Sequence, residues 1–306
     1  MNEAIDGFLA SFEGVKDKAY SSNTVQAYHN DLSKFEKYLR DSFALSAWAD
    51  VQPEHVHAYV EYLYTYVDQR TGRGYASSTI ARKVAAIKSF FHFLATRGTL
   101  SADPTQGLES PKVKKHLPRA LSAESVERLL ESPPRTGTPK AVRDRALLEL
   151  LYATGMRVSE VVSMRLEDVE LETGRIKCPS PSGKPRSIPI EARALQALNE
   201  YLERSRPHLA RKGDERALFL NHRGQKLTRQ GLWLIIKEYA TQLHLEGEVI
   251  TPHTLRHSFA AHKLSGGAEL HELQELLGHA NISTTQVYVQ MKGEENGVRR
   301  EPDGAE

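Results

Sequence analysis

The 306-residue chain contains a single cysteine, Cys178. An intramolecular disulfide framework is therefore excluded, and the chain suits a reducing compartment. It has no run of about 20 apolar residues, the length a helix needs to cross a bilayer. Its opening residues, MNEAIDGFLASFEG, are acidic and too poor in apolar length to read as a secretory signal. A large charge excess is missing too: 41 Lys and Arg against 39 Asp and Glu leave +2. Any surface for a polyanion must come from local clustering. There is no glycine-rich phosphate loop, and Glu272 follows His271 without the second histidine of a metalloprotease helix. The pair His253 and His257, four apart, lacks a third ligand that would complete a metal site.

What the chain does have is a 40 % hydrophobic content ordinary for globular cores, over a length suited to about two domains. Residues up to about Arg97 carry helical periodicity. A short helix is expected from Glu3 to Phe12. Val25, Tyr28, Leu32, Phe35 and Leu39 mark another over Thr24 to Arg40. Val56 to Tyr66 follows Pro53, and Ser77-Ser78 are expected to cap a helix carrying Ile80, Val84, Ile87, Phe90, Phe91 and Leu94 up to Gly98. Residues 1–100 thus read as a bundle of about four helices. It shows no titratable constellation, but Arg82, Lys83 and Lys88 are expected on one polar face and are candidate contacts to a nucleic-acid backbone. Residues 101–122 break the periodicity with Pro104, Gly107, Pro111 and Pro118, and hold Lys112, Lys114, Lys115, His116 and Arg119. Two readings stand: a solvated connector, or a basic strap along a phosphate backbone.

A second domain is expected over 123–290. Ser122 can cap Ala123 to Leu130, and the apolar run Ala141 to Tyr152 stops at Gly155. Arg157 lies on the turn, with Ser159-Glu160 opening a helix through Met164. Gly174 to Cys178 and Arg186 to Ile190 read as a β-hairpin turning at Ser180 to Gly183. Helix resumes from Glu191 to Arg204, Leu218-Phe219-Leu220 is a strand candidate, and Leu227 to Leu243 is helical. The stretch Thr251 to Tyr288 concentrates the chemistry. Thr251 can N-cap a helix with Pro252 in its first turn, which places His253 and Arg256 on one side. A run from Glu269 to Leu277 ends at Gly278, then His279, a Ser/Thr-rich segment and Tyr288. Residues 291–306 read as a polar tail.

Arginines clamp phosphates without acting as acids or bases. A tyrosine beside such a clamp can be a nucleophile, and histidines can move protons or bind an oxygen. The set suits phosphoryl transfer, with Arg157, Arg256 and His279 stabilising developing charge.

The segments ATGMRVSE around Arg157, HTLRH at His253 to His257, and LLGHANISTTQVY ending at Tyr288 resemble the tyrosine site-specific recombinases of the phage-integrase family, Xer type. The likeness covers nearly the whole chain, and His253, Arg256, His279 and Tyr288 follow at separations of three, 23 and nine residues. The resemblance implies a mainly α fold with a small β-hairpin or sheet: an N-terminal SAM-like helical bundle binding core DNA and a C-terminal catalytic domain, together clamping the duplex. It implies that Arg157 and Arg256 hold the scissile phosphate. His253 would handle a proton, His279 would contact the phosphate, and Tyr288 would form a 3′-phosphotyrosyl link while releasing a 5′-hydroxyl. No cofactor and no metal are expected. The partners implied are double-stranded DNA and a homo- or hetero-tetramer with a related recombinase on two sites, in the cytoplasm and away from membranes. Chromosome-dimer resolution is the expected task, with integration or excision of a mobile element, or a DNA-binding relative of impaired cleavage, as alternatives. The last arises because the family's hairpin lysine aligns with Pro181; Lys184 is the candidate general acid, supplied through a rearranged turn. The tail also departs from the family, whose C-terminal helix docks into a neighbouring protomer.

Overall fold

The computed structural model describes residues 1–12, 22–111, 120–134, 137–179, 185–210, 215–244, 250–279 and 281–295. The chain divides into two units, Met1–Lys115 and His116–Glu306.

The first unit contains α1 (Asn2–Ala10), α2 (Ser22–Phe43), α3 (Pro53–Thr65) and α4 (Ser77–Thr96). The apolar spacing read from the sequence is the spacing that packs. Leu32, Phe35 and Leu39 of α2 meet Val84, Ile87, Phe90 and Phe91 of α4, with Phe8 and Tyr59 in the same core. Trp48 lies edge-on to Phe90, and its indole nitrogen donates to the Met1 carbonyl at 3.0 Å. Ser77 and Ser78 are not the cap of α4. Ala76 is the N-cap, and the two serines already lie inside the helix.

The expected polar face of Arg82, Lys83 and Lys88 is also corrected. At about 100° per residue, neighbours 82 and 83 cannot face the same way. Lys83 is only 2 % exposed. Its ammonium donates to Asp31 at 2.8 Å, and Arg82 pairs with the same carboxylate. An ammonium is buried only with such a partner. Burial pushes the Lys83 pKa down, and the Asp31 bond opposes that shift. Lys88 donates to the Leu108 carbonyl at 2.8 Å. That bond, with Leu108 buried in the core, docks the start of the 101–122 segment onto this unit. Lys112, Lys114 and Lys115 lie outside the described residues.

The second unit is built around α6 (Pro139–Thr154), in which every residue from Ala141 to Leu151 is buried. A helix covered on all sides has no polar face, so its charges need internal partners. Arg143 donates to Asp144 at 2.8 Å and to the Leu220 carbonyl at 3.0 Å, and Tyr239 donates to Asp144 at 3.2 Å. Glu149 accepts from Arg193 at 2.6 Å. The preceding α5 (Ala123–Glu131) starts at Ser122, whose hydroxyl accepts the Ser125 amide at 3.1 Å.

After α7 (Val158–Ser163) comes an antiparallel sheet in the order β1 (Val169–Glu170), β2 (Arg175–Cys178), β3 (Arg186–Pro189). Ile176 opposes Ile188, both facing the core, while Arg175 and Lys177 point to solvent. β1 was not expected from the sequence. The hairpin turn at Ser180 to Gly183, together with Pro181 and Lys184, lies outside the described residues. The helix expected over Glu191 to Arg204 is α8 (Ala192–Glu200), which runs through a π-turn into α9 (Arg206–Leu209).

Leu218-Phe219-Leu220 is not a strand. Only isolated bridges flank it, Arg165 with Ala217 and Leu220 with Lys226. Its backbone is satisfied from several sides: the Tyr201 hydroxyl donates to the Leu218 carbonyl at 3.0 Å and accepts the Leu220 amide at 3.2 Å, the Leu218 amide donates to the Met164 carbonyl at 2.9 Å, and the Phe219 carbonyl accepts the Leu227 amide at 2.9 Å. The remaining helices are α10 (Arg229–Gln242), α11 (Pro252–Ser265), α12 (Leu270–Leu277) and α13 (Ser283–Glu295). The expected polar tail from residue 291 therefore begins as helix, to Glu295. Among the described residues no helix is long and apolar enough to cross a membrane.

Candidate active site

Three helix ends and one helix face meet in a cleft of about 320 Å³ lined by Arg157, His253, Arg256, His257, His279, Thr284, Val287 and Tyr288. Local sequence explains each end. Gly155 closes α6 in the left-handed region, φ 57°, and the chain turns so that Arg157 becomes the N-cap of α7. Thr251 accepts the Thr254 amide at 3.1 Å and Pro252 opens α11, placing His253, Arg256 and His257 along one side of it. Gly278 closes α12 at φ 62°, which delivers His279. Tyr288, expected at the end of a Ser/Thr-rich segment, lies in the middle of α13.

Arg256 is 5 % exposed. It donates to the Gly155 carbonyl at 2.6 Å and to the Leu277 carbonyl at 2.7 Å. These are the last carbonyls of α6 and α12, which have no partner within their helices and sit at the negative dipole ends. Arg157 reaches the Gly278 carbonyl at 3.2 Å and Arg186 the Leu276 carbonyl at 2.8 Å. Arg157 and Arg186 also share Glu160. Its carboxylate takes Arg157 at 3.1 Å and both ends of the Arg186 guanidinium at 3.0 and 3.1 Å. Burial would raise the Glu160 pKa, but the Arg186 and Arg157 bonds prevail and hold it below the usual range.

Three guanidiniums thus stand against one carboxylate, which bonds two of them, and the cleft is left in need of an anion. Burial, reinforced by Arg157, pushes Arg256 down to about 10. Burial and the same arginines push His279 down to about 4, so its ring is neutral. A guanidinium only donates, so the Arg256 contact at 2.9 Å makes His279 Nε2 the acceptor. The ring proton is then on Nδ1, which donates to Thr285 Oγ1 at 2.9 Å. Tyr288 is 3 % exposed, and burial raises its phenol above 10 against the pull of Arg256. Its hydroxyl lies 2.8 Å from His257 Nδ1.

Five residues singled out in the sequence, Arg157, His253, Arg256, His279 and Tyr288, therefore line one cleft. Lys184 lies outside the described residues, and Arg82, Lys83 and Lys88 belong to the other unit. Sequence reasoning missed Glu160 and His257. Glu160 three residues after Arg157 was a readable sign, since that spacing suits a capping pair. Nothing local marked His257 as the partner of a tyrosine 31 positions on. Among the described residues no group of three or more His, Cys, Asp or Glu side chains could hold a metal ion.

Comparisons with known proteins agree with this architecture. Residues 119–295 match the model of the phage integrase family, and residues 5–98 match its N-terminal SAM-like domain. Tyrosine recombinase XerC of Roseiflexus castenholzii is 49 % identical over 96 % of this chain and 90 % of its own length. Tyrosine recombinase XerD of Listeria innocua is 42 % identical over 94 % of each. In fold, the chain resembles the crystal structure of XerH site-specific recombinase bound to palindromic difH substrate, a post-cleavage complex. The TM-score is 0.71 at 24 % identity, over 90 % of this chain and 80 % of that one.

Proposed function

The chain belongs to the phage integrase family, as a tyrosine recombinase that cuts and rejoins DNA strands, and on that premise we propose that Tyr288 is its nucleophile and that Arg157, Arg256 and His279 hold the phosphate it attacks. The observation that carries this reading is the cleft itself, where the phenol sits among two guanidiniums and two neutral imidazoles. A phosphodiester docked there would face the guanidiniums of Arg157 and Arg256, and His279 would donate to it once its ring proton moves to Nε2. Tyr288 Oη attacks phosphorus, the bond to the 5′-oxygen breaks, and a 3′-phosphotyrosyl link and a 5′-hydroxyl result. The link conserves the bond energy, so the reverse attack by a 5′-hydroxyl rejoins a strand without a cofactor. Charge accumulating on the non-bridging oxygens meets donors already in place, and losing one such donor typically costs about 3 kcal/mol of barrier.

His253 is exposed at the cleft rim and is assigned a proton-handling role toward the substrate, and Lys184 protonates the leaving 5′-oxygen. Backbone contacts from Arg82, Lys88, Lys112, Lys114 and Lys115 add sequence-independent affinity. Lys83 is excluded from this set by its buried pairing with Asp31. The substrate is double-stranded DNA, two sites held by a tetramer of this chain or of this chain with a related recombinase. Resolution of chromosome dimers in the cytoplasm is the task we assign, on the strength of the XerC and XerD likeness.

The test is a nicked suicide substrate, which traps the covalent adduct. Tyr288→Phe should bind the DNA as the parent does and form no adduct. An adduct formed by that variant would remove Tyr288 from the role.

A further inference from the structure

His253 is the histidine that sequence spacing marks for proton handling, yet the imidazole on the nucleophile is another one. Tyr288 Oη lies 2.8 Å from His257 Nδ1, with ring centroids 5.5 Å apart and planes inclined by 50°. A buried hydroxyl needs an acceptor, and among the described residues the one within reach of Oη is Nδ1. That fixes the tautomer, with the His257 proton on Nε2 and the Nδ1 lone pair turned to the phenol.

We propose that His257 takes the proton of Tyr288 as the phenol attacks the scissile phosphate. The proposal rests on Tyr288 being the nucleophile. In the step, the Oη–P bond forms, the bond from phosphorus to the 5′-oxygen breaks, and the phenolic proton passes to Nδ1, making His257 an imidazolium. The departing oxygen takes its proton from the separate acid on its own side. On rejoining, the imidazolium returns its proton to Tyr288.

The surroundings make this base conditional. The charged and titratable groups facing His257 are His253 and Arg256 on its own helix, Tyr288 on α13, His279 beyond α12 and Arg157 before α7. Burial first, then His253 and Arg256, hold the free-site imidazole down at about 4, too weak a base to ionise a phenol raised by burial. A phosphate entering the cleft sets negative charge against Arg256, and the transition state adds more. Both changes strengthen the base at the moment the phenol needs it. Without DNA, Tyr288 stays a neutral, unreactive phenol.

The test uses the full chain and His257→Asn, whose Oδ1 occupies the place of Nδ1 and accepts a hydrogen bond but takes no proton. Single-turnover adduct formation is measured from about pH 6 to about pH 9.5, with DNA affinity and thermal melting as controls. The expected result is unchanged affinity and cleavage slowed by about 10²-fold near pH 7. The variant's rate should then climb about tenfold per pH unit as hydroxide replaces the lost base, while the parent climbs less. A 5′-bridging phosphorothiolate, which needs no protonation to leave, should not restore it. His257→Gln, which fills the imidazole volume, is measured in the same way in case the shorter side chain loosens the fold. Cleavage at the parent rate in either folded variant overturns the proposal. So does rescue by the thiolate, or a slowed rate that keeps the parent's pH profile, since a packing defect carries no proton. Tyr288→Phe in parallel separates the two readings. If it still forms adduct, the nucleophile is wrong; if it is inert while His257→Asn is normal, only the base is.

Discussion

Gly155 carries more of the site than its size suggests, and Gly155→Ala puts a number on it. The residue sits at φ 57°, and its carbonyl accepts Arg256 at 2.6 Å. A Cβ there would run into the ring of Phe259, with Cε1 at 2.7 Å, and would crowd Leu277 at 3.1 Å. The left-handed backbone costs alanine about 1–2 kcal/mol. Overpacking against a buried ring adds about 1–3 kcal/mol. The expected loss is about 2–5 kcal/mol, or roughly 2–4 °C of melting temperature per kcal/mol for a unit of this size. Phe259 lies three residues beyond Arg256 on α11, so any relief of the clash drags the guanidinium from its seat, and cleavage falls with stability. Gly278→Ala is the matched comparison. Its φ is 62°, but its Cβ would meet the Arg186 guanidinium tip at 2.7 Å, which can swing aside. That variant should lose about 1–2 kcal/mol from its backbone, without overpacking, plus the cost of giving up the Arg186 pairing with the buried Glu160. Denaturant melts and single-turnover cleavage of both variants are the assay. A Gly155→Ala chain within about 0.5 kcal/mol of the parent would refute the reasoning, because both contributions are required by the geometry.

Three other outcomes follow from the same site. His257 and His279 are held at about 4 against an ordinary 6.5, so the unfolded chain takes up protons first as pH falls. Stability of the second unit should therefore decline from about pH 6.5 toward pH 4, and His279→Gln should flatten the decline; a parent curve level across that window would contradict the burial of these rings as neutral groups. Lys184→Ala should cleave ordinary DNA slowly and recover on a 5′-bridging phosphorothiolate, and parent-rate cleavage of ordinary DNA would pass the acid's role to another group. With about six phosphates neutralised, log affinity should fall with log salt at a slope near −5. Neutralising Lys112, Lys114 and Lys115 together should make the slope shallower, and an unchanged slope would take the connector off the backbone.

Much of the fold was legible because its signals are local. Thr251-Pro252, Ser122, Gly155 and Gly278 start and stop helices through their own backbone and side chains, and the i, i+3, i+4 apolar rows of α2 and α4 are what their core uses. Other features were settled by partners that lie far off in sequence. The row at Leu218 to Leu220 looks like a strand, but Tyr201, Arg143 and scattered backbone groups supply its hydrogen bonds in place of a neighbouring strand. Lys83 looks like a surface lysine until Asp31, 52 positions earlier, is buried against it. Two adjacent serines suggested a cap, yet the chain enters α4 one residue sooner at Ala76. In the site, the residues with unusual chemistry stood out by type and spacing. His257 did not, because its meaning depends on how α11 packs against α13.

The guanidiniums of the cleft lean on main-chain oxygens: Gly155 and Leu277 under Arg256, Gly278 under Arg157, Leu276 under Arg186. Such acceptors have no side chain to exchange, so their position is encoded in helix length rather than in residue identity. Removing one residue from α12 would turn its terminal carbonyls by about 100° and draw them back by about 1.5 Å. All three acceptors on that helix end would leave the arginines, though every arginine remained. Substitutions along the outer face of α12 leave this arrangement untouched. Variation in this part of the chain is thus constrained in register far more than in composition.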